Sequence, residues 1–155
     1  MKKVVKFGGS SLADAKQFQK VGAIVHADPS RIYVVPSAPG KRFSGDTKVT
    51  DLLYRCYDLA AEGKDFTDPF REIQSRYNEI IQGLGLKYSL EDEFRAIEEN
   101  LKKKPNRDYT ASRGEYLNGR VMAKYLGFTF VDAAEIIFFD QDGQLDESKT
   151  LKKTA

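Results

Sequence analysis

The 155-residue sequence predicts a single α/β domain, and three observations carry that reading. Short β-branched runs alternate with stretches of helical periodicity, which argues for layered strands and helices. The first run, 3–7, leads through a helical stretch to a second run at 32–35, the order of a β-α-β unit. Such a unit implies a parallel pair with a right-handed crossover. A turn-rich segment, Pro36 to Asp46, then follows the second run. In open α/β sheets the crevice beyond the strands' carboxyl ends is where ligands bind.

Each element has its own signal. Lys3 to Phe7 is a compact apolar-rich strand, and Asp14 to His26 places Ala15, Phe18, Gly22 and Val25 on one helical face. Ile32 to Val35 is β-branched and aromatic, the pattern of a strand buried on both faces. Val49, Leu52, Leu53, Cys56 and Ala60 repeat at helical spacing, with Asp46 or Thr47 placed to cap. Asp68-Pro69 reads as an N-cap followed by proline at the first helical position, with Phe70, Ile73, Tyr77, Ile80 and Ile81 inward and Gly83 or Gly85 as the stop.

The next helix carries Leu90, Phe94, Ile97 and Leu101 inward. Its Glu91 to Glu93 lie early and its Lys102 to Lys104 late, matching the dipole, and read as solvated charge. A further helix, 112–125, has Leu117, Val121, Met122 and Tyr125 on its apolar side and ends at Gly127. Phe128 to Val131 and Glu135 to Phe139 read as strands, Asp140 to Gly143 as a turn, and Asp146 onward as a polar helix.

Composition narrows the function classes. With 25 basic and 23 acidic side chains no basic stripe is evident, so nucleic acid is not the expected partner. No apolar stretch approaches the roughly 20 residues that span a bilayer. The lone Cys56 forms no internal disulfide, sits on an apolar helical face, and reads as an inert core residue. No leader-like segment opens the chain, and the expectation is a cytoplasmic protein. His26 has no second ligand at metal spacing, so no metal site is expected.

The chemistry concentrates in residues 4–11, Val-Val-Lys-Phe-Gly-Gly-Ser-Ser. This strand, glycine pair and hydroxyl pair read as a phosphate cradle. Gly8 and Gly9 can take backbone angles closed to other residues and let an anion approach, while a following helix N-terminus presents N–H groups. Lys6 adds a full positive charge. The segment matches neither of the two standard nucleotide loops, and a serine-capped strand-to-helix turn is the alternative. In the loop, Lys41 and Arg42 either reach a phosphate or carboxylate or belong to a mobile basic segment.

Three segments resemble the amino acid kinase family, and within it the aspartate kinases: Lys6-Phe7-Gly8-Gly9-Ser10-Ser11, then Ser37-Ala38 with Thr50-Asp51-Leu52-Leu53, and Ser112-Arg113-Gly114-Glu115-Tyr116-Leu117-Asn118. Val131-Asp132-Ala133 supports the same alignment. The resemblance implies a three-layer α-β-α sandwich with a mostly parallel central sheet, of which 1–155 is the N-terminal, amino-acid-substrate side. It implies transfer of the ATP γ-phosphoryl group to the β-carboxylate of L-aspartate, the first step of lysine, threonine and methionine biosynthesis. ATP would enter with Mg2+, and the full-length enzyme would be a homo-oligomer.

By the same resemblance Lys6 is catalytic, and Lys6, Phe7, Gly8, Gly9 and Ser10 hold phosphate. Glu115 binds the substrate ammonium, Thr50 donates its hydroxyl, and Ser37 and Ala38 border the site. Each has a structural alternative. Lys6 reads equally as an exposed strand-end charge, Thr50 as a solvent-facing helix residue, and Ser112-x-x-Glu115 as a capping box. Pro36 stands where relatives more often carry an aliphatic residue. The nucleotide-binding half and the regulatory ACT domains of the family would follow Ala155, so the expectation is a chain inactive alone, with a sheet edge and apolar faces left open. The rival readings are another member, such as acetylglutamate, glutamate 5- or uridylate kinase, and a non-catalytic α/β module.

Overall fold

The two apolar runs near the N-terminus become the sheet. In the structure, a computed structural model that describes residues 1–155, β1 (Lys3–Phe7) and β2 (Arg31–Pro36) pair in parallel, with Val5 beside Val34 and Phe7 beside Pro36. A single 3-10 turn at Gly9–Leu12 and then α1 (Ala15–His26) connect them. The Asp14 carboxylate starts α1 by accepting the Gln17 N–H at 2.9 Å, which satisfies one of the helix's free donors.

Alternation along the strands divides the sheet into a covered and an open face. Val5, Phe7 and Val34 pack against the core, whereas Val4 and its partner Tyr33 are 68% and 52% exposed. Lys6 and its partner Val35 share that open face. The expectation of a second strand buried on both faces is therefore corrected. Among these residues the helices meet only one face of the sheet, and side chains two apart in a strand share the fate of their face.

Four long helices form the covering layer: α2 (Val49–Ala61), α3 (Thr67–Gly83), α4 (Glu91–Lys103) and α5 (Arg107–Leu126). Helix α2 sits centrally against α3, α4 and α5, α5 reaches β2, and α1 leans on α3 and α5. The apolar positions read from periodicity are the buried ones: Leu52, Leu53 and Cys56 of α2, Ile73, Tyr77 and Ile80 of α3, Phe94 and Ile97 of α4. They join one core, in which the rings of Phe70 and Tyr77 lie 6.4 and 6.3 Å from Phe94. Most α4 charges are solvated, such as Lys102 with Glu98 at 2.8 Å, but Glu93 departs from that expectation, 15% exposed and paired with Arg120 of α5 at 2.8 Å.

Helix starts differ from the sequence reading in three places. At α3 the cap bond comes from Asp65, whose carboxylate accepts the Thr67 N–H at 2.9 Å, so the helix begins before Asp68. Helix α2 follows Lys48 with no side-chain cap, because Asp46 is engaged by arginines instead. Helix α5 begins five residues before Ser112, capped by Asn106, which accepts the Tyr109 N–H at 2.8 Å. The left-handed glycines Gly85 (φ +66°) and Gly127 (φ +72°) follow α3 and α5.

Beyond α5 the expected strands at 128–131 and 135–139 do not form. A strand needs a neighbour for its N–H and C=O groups, and the stretch finds only an isolated bridge between Phe139 and Leu145. Phe130 packs its ring edge-on to Tyr116, 5.5 Å away, and a 3-10 turn occupies Ala133–Glu135. The turn at Asp140–Gly143 forms as read, followed by the short α6 (Glu147–Thr154), capped by Asp146. No helix is long and apolar enough to cross a membrane.

Candidate active site

The carboxyl ends of β1 and β2 bring two loops into contact. Ser37 donates its N–H to Phe7 O at 3.0 Å, one step past the strand pair, and Gly40 donates to Gly9 O at 2.8 Å. The backbones touch so closely that a Cβ on Gly9 would lie 2.9 Å from Ala38 O, and one on Gly40 2.6 Å from Gly9 C. Glycine at 9 is thus demanded by approach and not by angle. Neither Gly8 nor Gly9 has a positive φ, and a Cβ on Gly8 would meet nothing within 4 Å. The special backbone angles expected at the pair are absent.

Helix α5 closes the far side. Gly114 lets it approach until an added Cβ would be 2.7 Å from the Ala38 Cβ. Asn118 Nδ2 then donates to Ser37 O at 2.7 Å, and Ala38 N–H points at Glu115 Oε1 at 3.4 Å. Helix α2 enters from the loop, with Val49 N–H donating to Pro39 O at 3.1 Å.

These contacts enclose a cleft of about 500 Å³. Six of the expected site residues share it: Gly9, Ser10, Ser37, Ala38, Thr50 and Glu115. Pro39, Gly40, Lys41 and Lys48 complete its wall. The Gly9, Ser10 and Thr50 N–H groups have no protein acceptor, which leaves donors at three lining positions. The donors at 9 and 10 belong to a 3-10 turn and not to the start of a long helix, since α1 begins only at Ala15.

Lys6, Phe7 and Gly8 do not line this cleft. Lys6 leaves β1 on the open face, Phe7 packs its ring on the core, and Gly8 is the exposed link between strand and turn. The capping-box alternative for Glu115 is removed, because Ser112 lies inside α5 and donates its hydroxyl to Tyr109 O at 2.7 Å. Thr50 is half-buried in the first turn of α2 on the cleft wall, not a solvent-facing position.

The loop bearing this wall is locked. Asp46, with its side chain 4% exposed, accepts from Arg42 Nε at 2.8 Å, Nη2 at 2.9 Å and the Arg42 backbone N–H at 2.9 Å. That bidentate fork holds the Asp46 carboxyl well below the usual carboxylate range. The Arg76 guanidinium, 2% exposed, comes up from α3 and lies 3.4 Å from the same carboxylate. It donates to Gly40 O at 2.6 Å, Thr47 O at 3.0 Å and Ala13 O at 3.2 Å. Burial pulls the Arg76 pKa down, yet a guanidinium remains charged. Of the two basic residues of the loop, Arg42 thus reaches a carboxylate, that of Asp46, and Lys41 does not.

The next residue of α3 braces the opposite wall. Tyr77 donates its hydroxyl to Gly114 O at 2.7 Å, one residue before Glu115. Burial, with the Glu115 charge adding, pushes that phenol well above its ordinary value, so it stays a neutral donor. Sequence reading missed Arg76, although a signal was there: it interrupts the apolar stripe of Ile73, Tyr77 and Ile80 with a charge. Cys56 is fully buried and its thiol is pushed up to about 12 by burial, in keeping with an inert core residue.

A model of the amino acid kinase family matches residues 1–154. Aspartokinase 3 of Bacillus subtilis (strain 168) is 38% identical over 137 residues, which is 84% of this chain and 30% of that protein. The crystal structure of Clostridium acetobutylicum aspartate kinase is 49% identical, with a TM-score of 0.94 over 99% of this chain and 36% of that one. E. coli aspartokinase III in complex with aspartate and ADP shares the fold, with a TM-score of 0.77 at 20% identity over 99% of this chain and 37% of that one. The chain spans about a third of the length of these proteins.

Proposed function

The chain belongs to the amino acid kinase family, and from that premise we propose that it supplies the amino-acid-substrate side of an aspartate kinase, which moves the γ-phosphoryl group of ATP to the β-carboxylate of L-aspartate. The observation that carries the reading is the shared cleft. It gathers residues from β2's end, α2 and α5 that are far apart in sequence, on a chain 49% identical to an aspartate kinase. The 155 residues act as one unit, and most of the nucleotide site comes from polypeptide outside them.

In this reading the Glu115 carboxylate takes the substrate ammonium, and Thr50 and the Ala38 edge hold the acceptor end. The free amides of Gly9 and Ser10 receive oxygens of the transferred group, where charge is spread over three oxygens and needs compensation more than covalent help. Lys6 adds positive charge from the strand end. Its role rests on the likeness of the Lys6–Ser11 segment, since no cleft wall includes it. Mg2+ enters with the ATP phosphates. Glu115 is the one carboxylate on the cleft wall.

The test is trapping. An acyl phosphate made from L-aspartate reacts with hydroxylamine to give a hydroxamate, and the intact protein with ATP is expected to produce it from L-aspartate in preference to L-glutamate or N-acetyl-L-glutamate. Hydroxamate from one of the others alone would assign a different member of the family. The intact enzyme self-associates in this reading, and sedimentation velocity of the intact protein checks that.

A further inference from the structure

Three charged side chains line the cleft: the ammoniums of Lys41 and Lys48 and the carboxylate of Glu115. None of the protein's ion pairs includes any of them. The contrast with Arg42 is direct. It adjoins Lys41 in sequence, yet its guanidinium is fully engaged by Asp46 and Glu79 and does not line the cleft. The loop turns one cation inward as a clasp and leaves its neighbour free on the wall.

The two free lysines also share a single anchor. Gly40 O and Thr47 O belong to the peptide units that lead into Lys41 and Lys48, and both accept from the Arg76 guanidinium, at 2.6 and 3.0 Å. One buried group therefore fixes the two points of departure relative to each other. Fixed departure points keep two long side chains near one ligand at a smaller entropic penalty than a loose loop would allow.

An α-amino dicarboxylate carries one ammonium and two carboxylates at neutral pH, the inverse of this wall. We propose that Lys41 and Lys48 are the specificity residues of the cleft, pairing with the two carboxylates of the amino-acid substrate while Glu115 takes its ammonium, and that Arg76 is the positioning residue that sets their spacing. The inference rests on the aspartate kinase reading above and deepens it: the two lysines make the cleft select a dicarboxylate over its monoamide. A monoamide leaves one of the two cleft-wall ammoniums without its counter-charge, and discrimination follows from that lost pairing.

Calorimetric titration of the intact protein with L-aspartate and with L-asparagine tests this, using Lys41→Met, Lys48→Met, and the charge-keeping Lys48→Arg. Each methionine variant is expected to weaken L-aspartate binding by about tenfold or more, the worth of a charge-assisted hydrogen bond. L-asparagine affinity should change by less than about threefold in at least one of them, so the preference between the two ligands collapses. Lys48→Arg should restore most of it, and added salt should weaken wild-type binding of L-aspartate more than that of either methionine variant. Unchanged L-aspartate affinity in both methionine variants, an equal loss for both ligands, or a loss confined to ATP would each overturn the assignment. Failure of the wild-type protein to bind L-aspartate at all would instead overturn the functional reading on which it stands.

Discussion

The helical side of this molecule and its strand side both carry apolar side chains, but these end differently. On the helical side nearly every apolar stripe meets another, and two large polar side chains caught among them are bonded, Arg76 to three carbonyls and Tyr77 to a fourth, while Asn100 Oδ1 and Asn118 Oδ1 have no partner. On the strand side Val4, Tyr33 and Val35 stand exposed. A helix satisfies its own backbone and needs only one apolar neighbour, whereas a strand needs a hydrogen-bonding neighbour and cover on its faces. The cleft lies where the two regimes meet, at the strand ends, and it takes its rigidity from the helices.

That contrast can be broken most severely at Arg76. Arg76→Met removes the charge from a buried pair and orphans the carbonyls of Ala13, Gly40 and Thr47 together, and a loss of about 3 to 5 kcal/mol in urea unfolding is expected. A loss below 1 kcal/mol would mean that the loop is not held from α3. Gly40→Ala comes next, because its Cβ would meet backbone atoms of Gly9 and Ser10 at 2.6 to 2.9 Å. An overpacking penalty of about 1 to 3 kcal/mol is expected, with L-aspartate binding weakened as well.

Tyr77→Phe is gentler, removing one bond to Gly114 O, which keeps its place in the α5 ladder, at a cost of about 0.5 to 1.5 kcal/mol while the ring still packs on Phe94. At the other extreme Val35→Thr on the open face should move stability by no more than about 0.5 kcal/mol. If that substitution costs as much as Tyr77→Phe, the open face is covered in solution.

Acid sharpens the same contrast. Asp46 has a folded-state pKa below its unfolded value of about 3.9, so its contribution is complete above that value and is lost as the pH falls below it toward the folded-state pKa. Amide exchange at Gly40 and Val49, whose N–H groups bond across the loop, should therefore stay slow to about pH 4 and speed up only in stronger acid. Loss of protection already at pH 6 would show that the clasp is not carried by that carboxylate.

What could be read beforehand follows the same division. Periodicity located α1, α2 and α4 and their buried faces because a helix's pattern is local, and the predicted cleft residues at 37, 38, 50 and 115 do come together. The cap assignment at Asp46 failed because its carboxylate is taken by Arg42 and by Arg76 from α3, and the one at Ser112 because α5 starts earlier, at Asn106, leaving Ser112 inside the helix. The stretch 128–139 had the composition of strands and none of their neighbours. Arg76 was overlooked although its charge interrupts the apolar stripe of α3, because the carbonyls of Ala13, Gly40 and Thr47 that it bonds lie far off in sequence.

The mutual contact of Gly9 and Gly40 has one more consequence. Each residue fills the room that a methyl on the other would need, so the two positions are interlocked like a hook and eye. No single-letter change at one can be relieved by shrinking the other, which is already the smallest residue available. Enlarging either residue would require both strands' exits to shift at once.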